Sequence, residues 1–124
     1  LTGQIRRDSG VPEQSRLSNP PTAAGGPPVN DELLFQVVEE CEAVGREVGQ
    51  SVPQVAINWL LQRPSVCSVI IGARNEQQLK HNIASVGWQL AASHVASLDK
   101  ASQPTLAYPY WHQRAFTERN PAPV

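Results

Sequence analysis

Residues 68–82, SVIIGARNEQQLKHN, join an apolar run to a glycine-containing turn and a polar helix-forming segment, and this order indicates the fold class. The apolar run begins at Val66, and residues 66–71 are rich in β-branched side chains on both faces. Such a run is typical of a central strand in a parallel sheet that is covered on both sides. We therefore predict an α/β chain that is mostly helical, with one central strand.

A strand that is buried on both faces needs hydrogen-bonding partners at both edges, because an unpaired buried amide costs about 1–3 kcal/mol. No second strand is evident elsewhere in the sequence. Two explanations stay open: the chain is one piece of a larger α/β fold, or the strand pairs with a partner or a second copy. The order helix, helix, strand, helix, helix favours the first, since alternating α/β proteins end in this way.

Two helices are predicted before the strand. The first follows Asn30, which is a good N-cap residue, and stops at Gly49. The second begins with a capping box formed by Ser51 and Gln54 and ends before Pro64. Its nearly continuous apolar surface predicts burial between neighbouring elements.

Two more helices are predicted after the strand. Asn75 is placed to cap the third, whose apolar positions are Leu79, Ile83 and Val86. Ser93 is placed to cap the fourth. Residues 1–30 have many Pro and Gly residues and read as a loop, residues 31–103 carry the regular elements, and residues 104–124 form an aromatic and then Pro-rich tail.

Composition narrows the classes of function. Net charge is −1 and no run of 18 apolar residues occurs, so neither nucleic-acid binding nor a membrane span is expected. Cys41 and Cys67 lie in no metal-binding pattern, and we interpret them as buried reduced thiols of a cytoplasmic protein. The sequence contains no Met, so we expect that residue 1 is not the start of the gene product.

The glycine turn after the strand has the chemistry of a site for an anionic nucleotide. Gly72 leaves room for a ligand, Arg74 is suited to grip a phosphate, and the start of the next helix favours negative charge. Gln78 and Asn82 are four residues apart and share a helix face. The alternative is a capped surface helix whose polar residues are incidental, and both interpretations carry similar weight on these grounds.

The sequence resembles the C-terminal part of an aldo-keto reductase, of the branch that includes bacterial aryl-alcohol-dehydrogenase-like enzymes and potassium-channel β subunits. The most specific segment is QVAINWLLQRPSVCSVIIGARNEQQLKHN at 54–82. LTGQIRR at 1–7, PEQSR at 12–16 and LDKAS at 98–102 extend the resemblance. It implies a (β/α)₈ barrel whose eighth strand is 66–71 and whose seventh strand precedes the 1–30 loop.

The resemblance also implies a cofactor, NADP(H), and the residues that bind it. Gly72, Ala73 and Arg74 would contact the adenosine 2′-phosphate region, and Gln78 and Asn82 would hold that phosphate and the adenine. The segment 1–16 would lie over the pyrophosphate, where the matching residues are Leu1, Thr2 and Arg16.

Three departures from the family pattern qualify this resemblance. Gln4 stands where the family usually has Lys, and His81 replaces a frequent acidic residue. The resemblance implies that hydride transfer from the cofactor relies on an Asp, Tyr, Lys and His set, which belongs to earlier strands of the barrel. We therefore expect no catalytic residue and no metal site in this chain, and expect the isolated chain to be inactive. The other hypothesis is a non-catalytic helical binding module that pairs its lone strand with a partner or a second copy.

Overall fold

Four helices form the regular structure of residues 3–9, 30–105 and 109, the part of the chain that the computed structural model describes. They are α1 (Asp31–Val48), α2 (Val52–Leu61), α3 (Glu76–Ile83) and α4 (Ala92–Ala101).

Helix α1 begins and ends as its sequence predicts. The Asn30 side chain accepts the Leu33 amide at 3.1 Å, and Gly49 ends the helix in the left-handed conformation with φ 70°. Gly45 lies in the last turn, where a Cβ atom would stand 2.5 Å from the Gln50 carbonyl oxygen. A glycine is therefore required for the α1–α2 connection to pass so close to α1.

Helix α2 carries the predicted capping box. The backbone amide of Gln54 donates to Ser51 Oγ at 3.4 Å, and the side-chain oxygen Oε1 of Gln54 accepts the backbone amide of Ser51 at 3.0 Å. The prediction that α2 is buried between neighbouring elements is wrong on one side of the helix, where Ala56 and Ile57 are half-buried and Leu60 and Leu61 are 36% and 39% exposed.

The core lies where α1 packs against α2 and α4. Val55 is fully buried, and the side chain of Leu98 reaches the same cluster from α4. The buried residues of this helical core are Cys41, Val44, Val52, Val55, Leu90 and Leu98.

The predicted central strand is absent from the described part of the chain. Residues 66–71 have no regular structure, and Ile70 is 99% exposed. The β structure of the described residues is an isolated antiparallel bridge between Arg6 and Ser9. The prediction of a strand covered on both faces is thus wrong for this structure, because the described residues supply no neighbouring strand to accept and donate its hydrogen bonds.

Two boundary predictions after this segment are wrong as well. Helix α3 ends at Ile83, so Val86 lies outside it and is 67% exposed. Helix α4 begins at Ala92 without a side-chain cap, and Ser93 lies inside it. The reason lies just before α4: Leu90 is buried and its amide is bonded to Asn58, which fixes the start of the helix through packing.

The two cysteines differ in environment. Cys41 is 2% exposed in the helical core, whereas Cys67 lies exposed in the irregular 66–71 segment. Both are unpaired, as predicted, but the prediction that both are buried is wrong for Cys67. Burial raises the pKa of the Cys41 thiol to about 11.

Candidate functional site

Side-chain hydrogen bonds close the turn that leads into α3, residues 72–75, which is called the glycine turn below. Asn75 caps the helix by accepting the Gln78 amide at 2.8 Å. The Gln78 side chain accepts the backbone amide of Arg74 at 2.8 Å. The predicted cap at Asn75 is therefore confirmed, and two of the amide groups at this helix start already have partners within the chain.

The last turn of α3 is tied to the same segment. Asn82 Nδ2 donates to the Gly72 carbonyl oxygen at 3.2 Å. A Cβ atom at Gly72 would meet no other atom within 4 Å, so the space in front of this residue is open. Gln78 and Asn82 thus both face the glycine turn, as their four-residue spacing predicts.

A cavity of about 550 Å³ opens beside this turn. Its polar end combines the segment 3–9, the glycine turn and α3, through Gln4, Gly72, Gln78, His81 and Asn82. The remaining walls are largely apolar and include side chains of α1, α2 and α4. The structure therefore brings three of the predicted site residues, Gly72, Gln78 and Asn82, to one cavity.

The other predicted site residues are placed differently. Ala73 and Arg74 follow Gly72 directly and are exposed. Leu1, Thr2 and Arg16 lie outside the described residues.

Ion pairs hold the segment 3–9, which carries Gln4, against α1. The Arg7 guanidinium makes two hydrogen bonds to Glu32, at 2.8 and 2.9 Å, and a longer one to Glu39 at 3.4 Å. Arg6 pairs with Glu42 at 2.5 Å. The hydrogen bonds from Arg7 lower the pKa of the Glu32 carboxyl group, because they favour its charged form.

This charged contact was not predicted from the sequence, although its pattern is visible there. Glu32, Glu39 and Glu42 are spaced to lie along one side of the predicted first helix, and adjacent arginines precede it in the chain. The missing information was which loop residues fold back to that side.

Two buried amide side chains on α2 bond the end of α3 and the chain after it, and these contacts were not predicted from the sequence. Gln54 Nε2 donates to the His81 carbonyl at 3.1 Å. Asn58 Nδ2 donates to the carbonyls of Ser85 and Trp88, both at 2.9 Å. The available signal was two amide side chains, four residues apart, in an otherwise apolar helix.

Neither a metal centre nor a membrane span is found in the part of the chain that the structure describes. No group of three or more His, Cys, Asp or Glu side chains there is arranged to hold a metal ion. The helices there are too short or too polar to cross a bilayer.

Comparison with known proteins gives the same family over most of the chain. Residues 1–103 match the family model described as "Aldo/keto reductase family". A "Putative voltage-gated potassium channel subunit beta" of Schizosaccharomyces pombe is 32% identical over 88 residues, which are 69% of this chain and 25% of that protein. An "L-glyceraldehyde 3-phosphate reductase" of Escherichia coli (strain K12) is 31% identical over 88 residues, again 69% and 25%.

A plant relative agrees with these two. The "Probable voltage-gated potassium channel subunit beta" of Arabidopsis thaliana is 34% identical over 88 residues, which are 69% of this chain and 26% of that protein. The matched region spans about a quarter of the length of these curated relatives. The chain belongs to the aldo/keto reductase family, whose fold is a (β/α)₈ barrel.

Proposed function

We propose that this chain is the C-terminal, adenosine-binding portion of an NADP(H)-dependent aldo/keto reductase whose intact form reduces aldehydes or ketones to alcohols. The observation that carries the proposal is the convergence of Gly72, Gln78 and Asn82 at one open cavity, directly beside Arg74. Family membership and a relative named as a reductase support it.

In this proposal residues 66–71 are the eighth strand of a barrel. Its two neighbours in the barrel, the first and seventh strands, would supply the missing hydrogen bonds. The β-branched, apolar character of the segment and the 99% exposure of Ile70 support this interpretation, because covering these side chains with neighbouring strands would remove apolar surface from water.

We expect the residues at the cavity, together with the neighbouring Arg74, to bind the adenosine end of NADP(H). The Arg74 guanidinium is suited to bond the 2′-phosphate through two parallel hydrogen bonds. Gln78 and Asn82 add amide groups on the neighbouring helix face, and the N-terminal end of α3 favours the negative charge. Residues 1–16, including Leu1, Thr2 and Arg16, would lie over the pyrophosphate, and Gln4 already reaches the same cavity.

The contribution of this chain to the reaction is binding and orientation. The cofactor supplies the hydride, and the residues that donate a proton to the carbonyl substrate would belong to the rest of the barrel. Contacts at the adenosine end act far from the reacting carbon, and they accelerate the reaction by holding the nicotinamide in position. The isolated chain would therefore be inactive.

Substitution of Arg74 by Ala tests the proposal in the intact reductase that would contain this chain, which is called the full-length protein below. We expect the Kd for NADPH to rise about 10- to 100-fold, because a charge-assisted hydrogen bond contributes about 1.5–3 kcal/mol. The Kd for NADH should change less than about twofold, since NADH has no 2′-phosphate. Fluorescence titration of each nucleotide measures both values.

Arg46→Ala is the matched control, because it removes the same charge from the exposed last turn of α1. The control should leave both dissociation constants unchanged. Equal losses of NADPH and NADH affinity in Arg74→Ala would contradict the assignment of Arg74 to the 2′-phosphate.

The exposure of the 66–71 segment also favours a second candidate function. A non-catalytic helical module would use this apolar segment to pair with a partner or a second copy of the chain. Sedimentation of the 124-residue chain over a wide concentration range tests whether the chain pairs with a second copy. A concentration-dependent dimer, with protection of the amides in 66–71, would support the module, and a monomer at all concentrations would contradict self-pairing.

A further inference from the structure

Helix α3 has little apolar packing of its own. None of its residues is buried, and its largest apolar side chains, Leu79 and Ile83, are 42% and 54% exposed. Hydrophobic burial therefore contributes little to fixing the position of α3 relative to the helical core. Another contact has to determine where Gln78 and Asn82 lie.

That contact is a pair of buried amides on α2. Gln54 and Asn58 are one helical turn apart and are 8% and 2% exposed. Gln54 Nε2 bonds the carbonyl of His81, one of the last four carbonyls of α3, which have no partner in the regular pattern of a helix.

Asn58 holds the chain that follows α3. Its Nδ2 group donates to the carbonyls of Ser85 and Trp88 at 2.9 Å, and its Oδ1 accepts the Leu90 amide at 3.3 Å. Asn58 thus satisfies three backbone groups between α3 and α4. Because buried polar groups are costly to leave unpaired, these bonds are directional restraints on the end of α3.

The restraint reaches the candidate site in one further step. The residue after His81 is Asn82, which donates to the Gly72 carbonyl at 3.2 Å. α2 therefore fixes the end of α3 through Gln54, and α3 in turn fixes the glycine turn through Asn82.

We propose that Gln54 and Asn58 are positioning residues, which hold α3 where its Gln78 and Asn82 side chains can engage the cofactor phosphate. This inference rests on the proposed function above. It assigns to Gln54 a role besides capping: Oε1 serves the capping box of α2, whereas Nε2 serves α3.

The two roles can be separated by Gln54→Glu. The glutamate keeps an oxygen to accept the Ser51 amide, because Glu is as suitable as Gln in a capping box. When its carboxyl group is ionised, it replaces the donor to His81 by an acceptor, so that two oxygens face each other at the former hydrogen-bond distance; hydrogen exchange and affinity are therefore measured above the pKa of this carboxyl group. Ser51→Ala is the complementary control, since it weakens the cap and leaves the bond from Gln54 to His81 in place.

Two measurements on the full-length protein test the proposal. Hydrogen exchange without cofactor should become faster in residues 79–86 of Gln54→Glu and stay unchanged there in Ser51→Ala. The Kd for NADPH should rise about five- to tenfold in Gln54→Glu and stay within about twofold in Ser51→Ala, even though both variants lower the Tm. Should Gln54→Glu fail to fold, Gln54→Met removes the donor without adding charge; it also removes the cap acceptor, and comparison with Ser51→Ala accounts for that loss.

Unchanged exchange in residues 79–86 of the folded Gln54 variant would overturn the proposal. So would faster exchange with an unchanged Kd for NADPH, because the position of α3 would then have no bearing on the site. The Arg74→Ala titration separates the two levels: normal NADPH affinity in that variant overturns the proposed function, whereas a loss there combined with normal affinity in Gln54→Glu overturns this inference alone.

Discussion

The helical core and the 66–86 region are both rich in apolar residues, yet the apolar side chains of the core are buried and several of those in 66–86 are exposed to solvent. Val55 and Cys41 in the core are at most 2% exposed, whereas Ile70 and Val86 are 99% and 67% exposed. A helix satisfies its own backbone hydrogen bonds and needs only a neighbour for its apolar face. A strand needs another strand before it can be buried, and the described residues provide none.

The chain thus contains two kinds of apolar residue, which differ in whether the chain itself covers them. Those of α1, α2 and α4 stabilise the part of the fold that this chain completes by itself. Those of 66–71 are interpreted as residues that pack only when the remainder of a barrel is present. The candidate site lies at the border between these regions, because its cavity has walls from both.

The largest expected change in stability comes from truncating one apolar side chain in the helical core. The matching truncation in residues 66–71 is expected to have little effect. Leu98→Ala should lower the free energy of unfolding of the chain by about 2–5 kcal/mol, since Leu98 is 4% exposed in the core. Ile70→Ala should change it by less than about 0.5 kcal/mol, because the side chain is already in water. Urea denaturation followed by circular dichroism measures both.

The same two substitutions have a different expected outcome in the proposed intact reductase. There Ile70→Ala should become costly, by about 2–5 kcal/mol, if residues 66–71 form a buried strand. An Ile70 variant that is harmless in both chains would contradict the assignment of this segment to the barrel.

A smaller effect is expected at the two cysteines. In the 124-residue chain at pH 8, Cys67 should react with a thiol reagent at the rate of an exposed thiol, and Cys41 should react only after the core opens. Burial raises the pKa of the Cys41 thiol from 9.0 to about 11, so its folded state favours the neutral form. Its contribution to stability should be present below pH 9 and be lost as the pH rises towards 11.

Cys41→Ala removes this alkaline loss and is the control for it. Equal labelling rates of the two thiols under native conditions would show that the core is not closed. Stability that is independent of pH between 9 and 11 in the native sequence would contradict the raised pKa of Cys41.

The sequence predicts the helices well where local signals determine them. The caps at Asn30, Ser51 and Asn75 and the stop at Gly49 are confirmed, because each depends on a side chain within a few residues of the helix end. The start of α4 was mispredicted because the buried Leu90 and its bond to Asn58, rather than a cap, determine it. The strand was mispredicted because strand formation depends on partners that the described residues lack.

The candidate site was predictable in part for the same reason. The spacing of Gln78 and Asn82 placed them on one face, and the structure brings both to the cavity with Gly72. The contacts that hold the site, from Arg7 to Glu32 and from Gln54 to His81, join residues 25 and 27 positions apart. Such pairings follow from how the helices pack and are not contained in any local pattern.

Hydrogen exchange of the proposed intact reductase, with and without adenosine 2′,5′-bisphosphate, tests whether residues 72–82 bind the adenosine phosphate of the cofactor. This nucleotide carries the 2′-phosphate that Arg74, Gln78 and Asn82 are proposed to hold. We expect it to slow exchange in residues 72–82, and we expect 5′-AMP, which lacks the 2′-phosphate, to do so much less. Unchanged exchange in residues 72–82, or equal protection by the two nucleotides, would contradict the assignment of this segment to the adenosine phosphate of the cofactor.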